Sequence, residues 1–144
     1  MHRMLRFAMF ALALAGVSLA LAQAQPQVML KGKRFLVELA TDDASRERGL
    51  MFREHMEDER GMLFIFEREL PQAFWMKNTK IPLDMLFFDH DRKLVAMHEN
   101  VPPCKADPCQ AYPSRAPAMY VLELNGGMAA KIGVKPGDTF ELHR

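Results

Sequence analysis

A chain of 144 residues, 49% hydrophobic and 26% charged, has the size and composition of one domain. Its 19 Lys and Arg nearly cancel its 18 Asp and Glu, so composition implies no basic face and argues against a nucleic-acid partner.

The N-terminus reads as a secretory signal peptide over residues 1–24. Arg3 and Arg6 supply a positive start, Phe7 to Ala15 an unbroken apolar stretch, and Ala20-Leu21-Ala22 or Ala22-Gln23-Ala24 a small-x-small cleavage site. The apolar run from Phe7 to Ala22 is 16 residues, short of the ~20 that a spanning helix needs. The expectation is therefore an exported protein, periplasmic or secreted, that meets a membrane only through this segment before cleavage; an uncleaved anchor is the rival reading. The mature region, 25–144, then holds 120 residues with 17 basic and 18 acidic groups, enough for one hydrophobic core in a monomer without metal or multiple disulfides. Export makes Cys104 and Cys109 readable as a disulfide, with a reactive thiol or metal pair as the alternative.

Along the mature chain, Val28 to Leu30, the Lys31-Gly32-Lys33 turn and Arg34 to Ala40 predict a strand pair, Phe35, Val37 and Leu39 sharing one face. Thr41 or Asp42 can cap a short helix from Asp43 to Arg48, with Gly49 as its stop. Arg53 to Arg60 reads as a solvated loop, Gly61 to Phe66 as a strand, and Pro71 as a break. Strands are expected at Phe74 to Lys77 and Leu83 to Phe88 around a turn at Asn78 to Lys80, and Leu94 to Glu99 should pair antiparallel with the second. Asn100 to Pro117 carries five of the nine prolines, which disfavours regular structure there. Met119 to Leu124 returns to a strand, a second short helix runs from Met128 to Ile132, and a turn at Lys135-Pro136-Gly137-Asp138 leads into a closing strand at Thr139 to Leu142. The helices are too short for parallel crossovers, so the pattern predicts an all-β fold: a small closed barrel or sandwich of about seven short antiparallel strands with two short helices.

The chemistry concentrates between Phe74 and Asp89. Ile81, Leu83, Met85 and Phe87 fall on one face of an extended segment, while Leu86 and Phe88 share the other with Asp84. A carboxylate between two apolar faces needs hydrogen-bond donors, and Lys77, Asn78 and Thr79 are the nearest in sequence. Glu123 is a second acid on an apolar strand.

Several motifs here resemble one family in combination. They are Gly49-Leu50-Met51-Phe52-Arg53, Gly61-Met62-Leu63-Phe64-Ile65-Phe66, Phe74-Trp75-Met76-Lys77-Asn78-Thr79 with Ile81-Pro82-Leu83-Asp84, and Val121-Leu122-Glu123-Leu124-Asn125-Gly126-Gly127 with Gly137-Asp138. Together they look like the domain of unknown function 192, a group of small, often exported bacterial and archaeal proteins, over nearly the whole mature chain. The resemblance implies a compact, mostly β fold and supplies no activity, cofactor or catalytic residue. The Cys104 and Cys109 loop also looks like one in exported members.

Two site hypotheses follow from the residues. Trp75, Lys77, Asn78, Thr79, Tyr112 and Asn125 could line a cleft that binds a small ligand, a glycan or peptide, with an aromatic platform and amide hydrogen bonds; this requires the indole to be partly open, the alternative being a core anchor. Asp84 and Glu123 could instead be a carboxylate pair for glycan hydrolysis, the alternative being two acids that accept backbone N–H groups and fix the fold. The cleft stands ahead of the hydrolase. No Met-x-x-Met cluster occurs among the nine methionines beyond the signal segment, and His55, His90, His98 and His143 are scattered, so neither a metal nor a cofactor is expected.

Overall fold

The computed structural model describes residues 24–144, so the expected signal segment lies almost wholly outside the described residues. Seven strands and two helices follow in the order β1 (Gln27–Leu30), β2 (Lys33–Ala40), α1 (Asp43–Arg48), β3 (Arg60–Trp75), β4 (Leu83–Phe88), β5 (Leu94–Val101), β6 (Ala111–Asn125), α2 (Met128–Ile132) and β7 (Phe140–His143). They make one sheet in the order β5-β4-β6-β3-β2-β1-β7. The mostly β architecture is as expected; the closed, antiparallel barrel is not. The sheet is a curled half-barrel, open and mixed, because β2 and β3 run parallel. Their crossover, residues 41–59, reaches the required length with only one six-residue helix, since the loop after α1 buries Leu50 and Met56 and so acts as part of the packing layer.

Alternation of side chains gives the sheet a core on each face. One cluster joins Phe35, Leu63, Leu86, Phe88, Leu122 and Leu124 with Leu94 and Phe140, which belong to the two ends of the sheet. Phe88 and Phe140 meet edge to face at 4.8 Å, so the sheet must curl around this cluster. Its two ends touch at one corner, where Leu94 N–H donates to Asp138 O at 2.8 Å and Phe140 N–H to Arg92 O at 3.2 Å, and they are not paired beyond it. The second cluster holds Leu50, Met62, Phe64, Met76, Leu83, Met85, Phe87 and Val121 under α1 and its loop. β4 is buried along its whole length, as two dry faces require.

Two predicted breaks are continuous strand. Pro71 lies inside β3 and faces Pro117 of β6, between register shifts at Ile65/Leu70 and Pro71/Ala73. An irregular ladder tolerates residues without an N–H, so these prolines bend the ribbon without ending it. The irregular segment shrinks to 102–110, and Cys104 and Cys109 are bonded within it. The bend has a large effect: Phe64 and Phe74, ten residues apart in one strand, meet at 4.8 Å. Ten extended residues would span about 33 Å. The far end of β3 therefore folds back over the second core, bringing Trp75 toward α1.

Candidate functional site

Asp84 is fully buried, on the same face as Leu86 and Phe88, as the alternation predicts. Its donors differ from the expected ones. The N–H groups of Asn100 (2.6 Å), Gly127 (2.9 Å) and Ala129 (2.7 Å) all donate to its carboxylate. The N-cap of α2 is Gly127, which has no side chain to cap the helix, and Asp84 accepts from two of the donors at this end, Gly127 and Ala129, in its place. Lys77, Asn78 and Thr79 turn elsewhere: Lys77 sits 5.3 Å from the Trp75 ring and 3.7 Å from Asp107, the Asn78 side-chain amide donates to Met51 Sδ at 4.0 Å, and the Thr79 hydroxyl donates to Lys77 O at 3.3 Å. The polar corner is local to the loop because the buried face of β4 points away from it.

Asp84 and Glu123 do not form a pair. In the β4/β6 register Met85 lies opposite Glu123 while Asp84 lies opposite Leu124, so the two acids project from opposite faces of the sheet. Their strands are neighbours, as the hydrolase hypothesis supposed, but side-chain parity separates them, and the oxygens of Asp84 are already committed to backbone donors.

Glu123 instead faces α1. It is flanked on the sheet by Met62 and Met85 and is only 4% exposed. Burial pushes its carboxyl up to about 8, so it is mostly protonated at neutral pH. It forms part of the wall of a 210 Å³ cleft between α1 with Gly49, Leu50 and Met51 on one side and the returned end of β3 on the other. Phe64, Phe66, Phe74 and Trp75 supply aromatic wall, and Arg46, Arg48, Lys77 and Thr79 supply polar groups. Trp75 is 47% exposed, which meets the requirement of an open indole. A second hollow continues past Trp75 along Ala44, Met51, Lys77 and Asn78.

The backbone around this mouth is unusual. Phe52 and Asn78 both have positive φ, 66° and 53°, and are joined by the Phe52 N–H to Asn78 O bond. Left-handed backbone is disfavoured for a bulky residue such as Phe52, whose ring is itself exposed.

Of the six residues assigned to a ligand cleft, Trp75, Lys77, Asn78 and Thr79 come together. Tyr112 does not: it lies opposite Phe74 and packs edge to face on His98 at 5.4 Å. Asn125 is also elsewhere, its amide donating to Met56 O at 2.7 Å and Asp58 Oδ1 at 3.1 Å. The aromatic wall from β3 and the role of Gly49 to Met51 were missing from the sequence reading. The apolar run from Gly61 to Phe66 reads only as a strand, and nothing in it shows that the returned end of β3 and α1 leave a cleft beside Phe64 and Phe66.

Fold and site together define a small curled half-barrel protein with a side cleft, whose wall holds one buried acid and whose mouth holds the single tryptophan. Residues 26–142 match the model of the DUF192 family, described as an uncharacterized ACR, and the chain belongs to that family. Two crystal structures are similar to it. One is of a candidate transcription regulator from Sinorhizobium meliloti 1021, 43% identical, with a TM-score of 0.72, covering 81% of this chain and 90% of that one. The other is of a protein of unknown function from Novosphingobium aromaticivorans DSM 12444, 40% identical, with a TM-score of 0.73, covering 81% of this chain and 82% of that one. No curated protein matches.

Proposed function

We propose that this is an exported binding protein whose cleft beside Trp75 takes a glycan or peptide segment without carrying out a chemical step. The observation that carries the reading is the half-exposed indole at the mouth of a 210 Å³ cleft, against three further aromatic rings and a buried carboxyl. Apolar wall with a few convergent polar groups is what a small-ligand site requires, and an aromatic face suits either a sugar ring or a peptide side chain. Export is supported by the charge and apolar pattern of residues 1–24 and by the bonded Cys104 and Cys109, a pairing favoured in oxidising compartments.

Trp75 is the sole tryptophan, so emission excited selectively at tryptophan, apart from Tyr112 and Tyr120, reports on this cleft alone. Titration of the mature protein with oligosaccharides and short peptides is expected to give a saturable change in emission with at least one class. Met51→Lys, which places a charge in the wall, should abolish it. Ligands that bind by calorimetry while leaving Trp75 emission unchanged would refute the location.

A further inference from the structure

We propose that the cleft recognises a ligand bearing a primary ammonium group, which enters between the aromatic rings and pairs with the Glu123 carboxylate. This deepens the binding reading above and rests on it.

Among the described residues Glu123 has no counter-ion, and its carboxyl takes part in no hydrogen bond given by the geometry, whereas Asp84 on the opposite face has every donor it needs. No fully sealed side-chain nitrogen or oxygen among the described residues lacks a partner, and Glu123 lines the cleft, so its open hydrogen-bonding capacity is turned there. Two of the cations nearby are held elsewhere: Arg46 donates to Thr41 O, Ile65 O and Asp43, and Lys77 lies against Trp75 and Asp107; the third, Arg48, is exposed at the rim and makes no ion pair with Glu123. A buried acid without a protein cation beside it stays neutral by holding its proton, and a cation that arrives with a ligand can take that proton's place. Aromatic faces favour such a cation, and Phe64, Phe74 and Trp75 are within the same wall. The charged groups that face the cleft are Arg46, Glu47 and Arg48 from α1 and Lys77 after β3; β4 and the inner part of β3 present only Met85, Met62 and Phe64 to Glu123. The rim cation Arg48 suits an anionic or hydroxyl-bearing remainder of the ligand.

The pairing has a proton balance. The carboxyl is mostly protonated in the empty protein at neutral pH, so entry of an ammonium group releases the carboxyl proton to solvent. The ionised fraction rises roughly 50-fold between about pH 6 and pH 8 for a carboxyl that titrates near 8, and affinity should follow it for an amine that stays protonated throughout; a peptide α-amino group, itself titrating near 8, should show about half that rise, and a less basic sugar amine less.

The amine could come from an amino sugar or from a peptide, and matched probes separate these sources. Calorimetry at about pH 6, where the amines are mostly protonated and the carboxyl is neutral, in two buffers of different ionisation enthalpy would compare chitosan tetrasaccharide with its fully N-acetylated counterpart, and tetra-alanine with N-acetyl tetra-alanine. At least one free-amine probe is expected to bind tenfold or more tightly than its acetylated partner, with proton release, and Glu123→Gln should remove both the preference and the pH dependence. Equal or tighter binding of the acetylated probes, binding without proton release, an unchanged Glu123→Gln variant, or no binding of either free amine at millimolar concentration would each overturn the proposal. Acetylated probes that still perturb Trp75 emission would leave the binding cleft standing and remove only the ammonium partner; silence of Trp75 toward a panel of other glycans and peptides would remove the cleft itself.

Discussion

Replacing Asp84 by Asn probes the linchpin between β4, the end of β5 and the start of α2. The carboxylate oxygen Oδ1 accepts from Asn100 and Gly127, and Oδ2 accepts from Ala129. An asparagine oriented to keep the first two bonds turns its NH2 toward the Ala129 N–H, exchanging a charge-assisted bond for two opposed donors. Loss of a hydrogen bond to a charged group together with one orphaned buried N–H should cost about 3 kcal/mol. Asp84→Ala orphans all three donors and leaves a hole, and should cost about 5 kcal/mol or more. Urea unfolding at neutral pH measures both, and hydrogen exchange should be faster before any global change at Ala129 in both variants and at Asn100 only in Asp84→Ala. An Asp84→Asn variant within about 0.5 kcal/mol of wild type, with Ala129 still protected, would refute the view that this acid holds α2 in place.

Glu123→Gln should change the pH dependence of stability in a definite direction. The folded carboxyl titrates near 8 against 4.5 for an ordinary one, so the folded state holds the extra proton and Glu123 loses stability as pH rises from about 4.5 to about 8. The loss is on the order of 3–5 kcal/mol, and unfolding curves of Glu123→Gln should lack it; parallel curves for the two proteins across this range would contradict the burial. Gly61→Ala should destabilise by about 2–3 kcal/mol, because a Cβ there would lie 2.6 Å from Glu123 O and 2.8 Å from Leu124 Cδ2, and the first is fixed backbone; a neutral result in thermal unfolding would mean that β3 and β6 can separate freely. Reducing Cys104 and Cys109, which close a ring of only six residues, should lower stability by about 2 kcal/mol at most in a urea titration, a larger loss showing that the loop braces more than itself.

Much of the local structure was legible in the sequence. α1 runs from Asp43 to Arg48 because Asp42 and Ser45 form a capping box, and α2 and β4 also fall where periodicity and glycine placement put them. The two faces of β4 were legible for the same reason: strand parity is a property of the chain alone. What escaped was non-local. Which donors meet Asp84 depends on where β5 and α2 arrive, and the separation of Asp84 from Glu123 depends on a one-residue difference in register. Pro71 and Pro117 read as breaks because a proline removes a hydrogen bond, yet opposite each other in an irregular ladder they bend the ribbon and create the cleft. The parallel pairing of β2 with β3 escaped because the loop after α1, not a long helix, provides the crossover.

The central claim, that ligand enters beside Trp75 over Glu123, is tested most directly by the amide and indole resonances of the mature protein titrated with a bound glycan or peptide. The account predicts that the one indole N–H signal moves together with the amides of Gly49, Met51 and Thr79, while those of Asn125 and β7 stay fixed. Shifts confined to Asn125, His55 and their neighbours, with the indole unmoved, would contradict it.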